Sequence, residues 1–445
     1  MARFLTLITL LWITATVLRA GGAPQANTAL LLGFLLLAAY VGGLASRQVQ
    51  LPQITGYLLV GIVVGPRVLD IFPETALSDF RLINGGALCL IALAAGAELR
   101  LEAVRRRLAS IITVTAFQSV LIAAAVVATT YFGRQLVGFL RHEPPRVALA
   151  VGLVFGLVAV AKSPATTIAV ITEEKARGVL TETVLGITVV KDVVVLILIA
   201  VLIPLAGVIA EPTTGFSFDT LRTVIVDVLE SIAAGLSLGW LIALYLRHVT
   251  TYRILAIFVT AFVVVELSEA WHLEYILIAM AAGFFVQNFT GQGRRLLGAL
   301  EANSLPVYAL FFAVAGADLR LDLLPHVWQI ALLIVGVRLA ALWVSTRVAV
   351  ALTGAPEVVG RYAWMGFLAQ AGVTLGIANI VRDRFDVWGT EVAAIIVAMI
   401  ALNQIVGPPA FRYALIRAGE SHRRRTGGPA RAPAVDRTLV ENRTR

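Results

Sequence analysis

Asp192 is a carboxylate in the middle of an apolar run, ITVVKDVVVLILIAVLIP, from Ile187 to Pro204, and Lys191 stands beside it. A charge at bilayer depth is costly, and such residues mark ion or proton pathways. A carboxylate facing a cavity binds either a cation or a proton, which is the minimal part for proton-coupled transport. Thr188, four residues earlier, adds a hydroxyl to the same helical face. Lys191 points about 100° away on a helix, so it does not naturally meet its neighbour. The competing reading is a structural ion pair between Asp192 and Lys191 or Lys162.

Two other polar interruptions could share that chemistry. In LVAVAKSPATTIAV, residues 157–170, Lys162, Ser163 and Pro164 break an apolar run, with Thr166 just beyond. Proline removes a helix donor. In GFLAQAGVTLGIA, residues 366–378, Gln370, Gly372, Thr374 and Gly376 do the same. Unwound carbonyls and half-helix ends can then coordinate a cation or stabilise a carboxylate. Arg338 lies mid-span in ALLIVGVRLAALWV. Arginine stays charged when buried, so it needs partners, either Asp192 or the facing half-helix ends. No Walker motif, Ser-His-Asp arrangement or metal-ligand cluster accompanies these residues, and the five histidines sit near loops or in the tail. No catalytic residue, cofactor or resident metal is expected, and the chain reads as a non-enzyme.

The elements that must position these side chains are membrane helices. Of 445 residues, 59% are hydrophobic and 14% charged, with mean hydropathy +0.88. Soluble chains carry about 25% charged residues. Thirteen apolar segments follow residue 28, at 28–45, 54–69, 82–98, 108–132, 147–171, 180–207, 221–246, 253–268, 273–289, 304–317, 327–351, 361–381 and 388–412. They form one membrane domain, 24–413. Residues 1–23 read as a signal peptide or an extra N-terminal helix. Residues 414–445 read as a basic, disordered cytoplasmic tail. The net charge of +9 could suggest nucleic acid, but the arginines cluster in alternate short loops, as positive-inside topology requires. The expected setting is the inner (plasma) membrane, multi-pass, with the C-terminus cytoplasmic and no nucleic-acid partner.

AAGAELRLE at 94–102 and VAGADLRLD at 314–322 are identical at six of nine positions, at an offset of 314 − 94 = 220. Two more positions exchange Glu for Asp. An odd number of spans separates the copies, so they point in opposite directions. That is the signature of an inverted-topology transporter with its site at the repeat interface. Repeat one is about 28–207, repeat two about 253–412, with a linker helix at about 221–246. The two helix breaks fall in matching positions, and Gln118 is the counterpart of Arg338.

LPQITGYLLVGIVVGP (51–66), AAGAELRLEAVRRR (94–107), the Ser163-Pro164 break, the mid-helix Asp192 and QAGVTLG (370–376) resemble the monovalent cation:proton antiporter superfamily, more closely its second branch of sodium or potassium/proton exchangers. The resemblance covers about residues 28–413. It implies thirteen helices, a homodimer, and a core domain that moves against a scaffold by alternating access. Two broken helices, here 147–171 and 361–381, would cross beside the acidic helix. Asp192 maps to the shared cation/proton carboxylate and Arg338 to the charge-compensating basic residue. No cytosolic nucleotide-binding regulatory domain, such as regulated family members carry after the membrane part, is expected in this chain. The family usually has an uncharged or acidic polar residue where Lys191 stands, and Lys162 is also unusual. A lysine is therefore expected to pair with Asp192 in the empty site and release it when a cation enters. A single core carboxylate favours electroneutral, one-for-one exchange. The alternatives are a same-fold transporter of an organic or anionic substrate, or a non-transporting membrane sensor. The choice between Na⁺ and K⁺ stays open.

Overall fold

A computed structural model describes residues 16, 28–210, 218–249, 253–271, 273–319 and 324–421. The signal-peptide reading of 1–23, Thr16 apart, and the tail beyond 421 lie outside the described residues. Those residues contain helices and no strands. In hydrocarbon every backbone polar group needs an internal partner, so an apolar chain of this kind folds as helices.

The helices run α1 (Thr28–Gln48), α2 (Gln53–Val64), α3 (Arg81–Glu98), α4 (Leu108–Phe132), α5 (Pro145–Val160), α6 (Pro164–Glu174), α7 (Val179–Ala210) and α8 (Phe218–His248). They continue as α9 (Arg253–Ala270), α10 (Tyr275–Phe289), α11 (Gly293–Ala302), α12 (Ser304–Ala317), α13 (Leu324–Thr353), α14 (Glu357–Tyr362), α15 (Gly372–Arg384) and α16 (Gly389–Arg417). A 3₁₀ turn, Ala363–Phe367, follows α14. Among the described residues, eight helical stretches are long and apolar enough to cross a membrane, or nine if the bent pair Gly293–Ala302 and Leu305–Ala317 is one span. Helices α2 and α10 are apolar but shorter.

The helices pack in two groups. Helices α4 to α7 and α13 to α16 make their most extensive contacts with one another, and so do α1 to α3 with α8 to α12. We call the first the core group and the second the scaffold group.

Within the scaffold, two close crossings mirror each other. A Cβ built on Gly96 of α3 would collide with the Met280 carbonyl of α10, and one on Gly283 with the Leu93 carbonyl. A Cβ on Gly316 of α12 would collide with the Leu58 carbonyl of α2, and one on Gly61 with the Ala313 carbonyl. Small residues let membrane helices approach backbone to backbone. Gly96 and Gly316 are 220 residues apart, as are Leu93 and Ala313, which is the offset of the AAGAELRLE and VAGADLRLD copies.

Candidate functional site

Local sequence explains the first helix break. The residue before a proline is pushed to extended backbone. Ser163 is extended at φ −97°, ψ 110°, and Ala161 at φ −62°, ψ 150°, so α5 stops at Val160. Pro164 then opens α6 at its first position, where the missing N–H is harmless. The Ser163 hydroxyl caps the new helix by accepting from the Thr166 N–H at 3.3 Å. Pro164 and its neighbours are buried.

The second break is built differently. The 3₁₀ turn ends at Phe367, the chain is extended at Ala371, and α15 starts at Gly372 with no side-chain cap. The two breaks cross. The Ser163 N–H donates to the Ala369 carbonyl at 2.8 Å. Gln370 Nε2 donates to the carbonyls of Val158 (2.6 Å) and Ala161 (3.1 Å). Thr167 Oγ1 donates to the Gly366 carbonyl at 2.9 Å. Each break thus lends its freed backbone groups to the other.

Arg338 of α13 closes this crossing. Its Nε donates to Ala159 O at 2.8 Å, and Nη2 to Phe367 O at 2.8 Å and Ala161 O at 3.2 Å. Its Nη1 donates to Leu368 O at 3.0 Å and Asn403 Oδ1 at 3.2 Å. The guanidinium therefore sits on two converging C-terminal chain ends. A helix C-terminus carries roughly −0.5 charge, so two of them offset about one positive charge. Of the two partners expected for Arg338, it takes the half-helix ends and not Asp192.

Asp192 is paired with Lys162. Lys162 Nζ lies 3.6 Å from Asp192 Oδ1. That is ion-pair distance but beyond a hydrogen bond. Neither Lys162 Nζ nor Asp192 Oδ2 has a hydrogen-bond partner among the described residues. The lysine side chain is sealed, at 0% exposure, whereas the carboxylate keeps 18%. The carboxylate thus has one oxygen facing an amine and the other, Oδ2, buried without a hydrogen-bond partner among the described residues.

Lys191 turns elsewhere. Its Nζ donates to Gln118 Oε1 of α4 at 2.8 Å and lies 5.3 Å from the centroid of the Phe367 ring. Gln118 Nε2 passes the chain on to Thr346 Oγ1 of α13 at 2.8 Å. The Thr188 hydroxyl donates to its own helix, at Val184 O, 2.7 Å away. Thr374 is fully buried near the start of α15, and its hydroxyl has no partner among the described residues. Thr166, Ser163 and Gln370 join the crossing, while Thr188 is not brought into a contact with Asp192 by any hydrogen bond described here.

Two site residues escaped the sequence reading. Asn403 Nδ2 donates to Gln370 Oε1 at 2.9 Å, and Gln404 Nε2 donates to Thr166 Oγ1 at 3.1 Å. The signal was present as an Asn-Gln pair inside the apolar run of α16, whose amides need internal partners. A third device holds α7 itself. The Glu420 carboxylate, beyond the end of α16, accepts from the N–H groups of Leu180 (2.7 Å) and Thr181 (2.8 Å) and from Thr181 Oγ1 (2.7 Å). The first turn of the helix carrying Asp192 is therefore capped from the far end of the chain.

A multi-pass helical membrane protein with two broken helices crossing beside a half-buried carboxylate is the class this geometry defines. Residues 31–416 match the family described as sodium/hydrogen exchanger, transmembrane, and the chain belongs to that family. Among curated relatives it is similar to the Na(+)/H(+)-K(+) antiporter GerN of Bacillus cereus, 24% identical over 396 residues that cover 86% of this chain and 95% of that one. It is also similar to the probable Na(+)/H(+) antiporter GerT of the same organism, 24% identical over 291 residues, covering 65% and 72%. Its fold resembles solved structures of the sodium proton antiporter MjNhaP1 from Methanocaldococcus jannaschii. One, at pH 8, has TM-score 0.62 and 14% identity over 88% of this chain and 98% of that one. An electron-microscopy structure of the same antiporter has TM-score 0.68 and 16% identity, covering 88% and 96%.

Proposed function

We propose that this protein exchanges one monovalent cation, Na⁺ or K⁺, for one proton across the cell's inner membrane, and that Asp192 and Lys162 together make the exchange site. The observation that carries this reading is the loose Lys162–Asp192 pair at the helix crossing. In the empty site the lysine ammonium neutralises the carboxylate. A cation reaching the site takes the unpartnered oxygen, Oδ2, and displaces the ammonium, which gives its proton to water. The carboxylate stays charged throughout, so one positive charge leaves for each that arrives. Ser163, Thr166, Gln370 and Thr374 supply neutral oxygens nearby, and Arg338 holds the crossing rigid.

Alternating access by an inverted repeat belongs to the same reading. The mirrored glycine crossings in the scaffold support it, as does the grouping of the helices into two packed sets. The curated antiporter relatives support the choice of cation and proton as substrates.

Purified protein in proteoliposomes holding a proton gradient tests the proposal. Adding Na⁺, K⁺ or Li⁺ should dissipate the gradient with at least one cation. The dissipation should vanish with Asp192→Asn. Silence with all three cations would remove cation exchange as the function.

A further inference from the structure

We propose that Glu173 and Arg412 form a latch between the two helix groups, which must open once in every exchange cycle. The inference rests on the alternating-access reading above. Three contacts between core and scaffold gather at one end of the molecule, where α6 finishes and α2 begins. The Glu173 carboxylate accepts from the Gln53 N–H through both oxygens, at 2.8 and 2.9 Å. Arg412 Nη1 donates to the Gln50 carbonyl. Tyr308 OH donates to Thr172 Oγ1 at 3.3 Å.

The chemistry of these contacts suits a joint that opens and closes. The first N–H groups of a helix have no intrahelical partner. Gln53 is the first residue of α2, and a core carboxylate occupies that position. Carboxylates also interact favourably with a helix N-terminus. Gln50, Gln53, Glu173 and Arg412 are all at least partly exposed, so water can replace these partners when the joint parts. The Arg412 end is anchored on its own side. Its Nε donates to Glu174 Oε1 at 2.7 Å, and Glu174 Oε2 accepts from Ser421 Oγ at 2.6 Å. Glu173 and Glu174 close the helix that begins at Ser163 and Pro164. A movement of the latch is therefore a movement of one half of the broken helix at the site.

Gln53 and Glu173 can be replaced by cysteines in a Cys89→Ala background and bridged by a short bifunctional methanethiosulfonate. Bridging should abolish cation-driven proton flux in proteoliposomes, and a reductant should restore it. Flux that persists at full rate in the bridged protein would show that the joint does not open during exchange, and the proposal would fall. Hydrogen–deuterium exchange supplies an arm that needs no transport. Glu173→Ala should speed amide exchange at the start of α2 by about tenfold, as expected for the loss of a charge-assisted hydrogen bond. Glu173→Gln, which keeps one acceptor oxygen, should lie between. Unchanged exchange in Glu173→Ala would also overturn the latch. If the unbridged protein shows no flux with any cation, the exchange reading fails by itself and the deuterium result alone decides whether the latch exists.

Discussion

Lys162 and Lys191 are both fully buried in the core group, yet they are held in opposite ways. Lys162 faces a carboxylate at 3.6 Å and makes no hydrogen bond among the described residues. Lys191 has a hydrogen bond at 2.8 Å and an aromatic ring, with a neutral amide as partner. The first arrangement is electrostatically matched and geometrically loose. The second is geometrically firm and, among the described residues, is bonded to no carboxylate. Exchange needs the first kind, because a group that must leave its partner cannot be locked to it by short directed bonds. The second kind ties three helices together, since Lys191 of α7 reaches Gln118 of α4 and through it Thr346 of α13. Arg338 adds a third pattern, a permanent cation matched by helix ends.

Asp192→Asn breaks the comparison most completely. It strands Lys162 beside a neutral amide, and cation-driven proton flux in proteoliposomes should fall to that of empty vesicles. Arg338→Ala comes next, through folding. It removes a side chain that donates to four converging carbonyls, and removing one member of a buried charged cluster costs about 3–5 kcal/mol. A marked drop in melting temperature in detergent is the readout. Lys162→Met should cut proton flux by about tenfold or more, because truncating one partner of a buried charge pair costs roughly 2 kcal/mol upward. A sharper measure is proton release on adding the transported cation to purified protein in weak buffer. The wild type should release protons and Lys162→Met should not.

Lys191→Met separates the two lysines. Proton release should survive, with flux within about threefold of wild type, well under the 1.4 kcal/mol of a tenfold change. Loss of proton release in Lys191→Met, with retention in Lys162→Met, would reverse the assignment. Adding Gln118→Leu to Lys191→Met should recover stability, because it removes the orphaned amide oxygen. Glu420→Gln gives the smallest effect. It keeps one of the two acceptor oxygens over α7 and loses the other along with the charge, the charge alone being worth about 0.3–1 kcal/mol at a helix N-terminus. Faster deuterium exchange confined to the first turn of α7 would report it.

The first helix break was the most legible part of the site. Ser163-Pro164 inside an apolar run states a cap, a stop and a start in local terms. The second break was legible only as a cluster of small and polar residues, and Gly372 marked the true start of α15. The apolar segments fall on helices of very unequal length, and eight or nine of the described stretches are long enough to span, because short helices such as α2 are apolar without crossing a bilayer by themselves. The site partners of Asn403, Gln404 and Glu420 were not legible, since they lie at least 33 residues away in the chain.

Composition and periodicity alone determined that this is a polytopic helical membrane protein, and the rarity of charge within its spans singled out Asp192, Lys162, Lys191 and Arg338. Those conclusions follow from solvation, which acts on each segment separately. Which lysine meets the carboxylate was beyond the sequence. Residues adjacent in a helix point apart, and residues in different helices meet only when packing brings them together. Tertiary structure decided that Lys162, thirty residues upstream of Asp192, is its partner and that Lys191 serves the packing of α7 against α4 and α13.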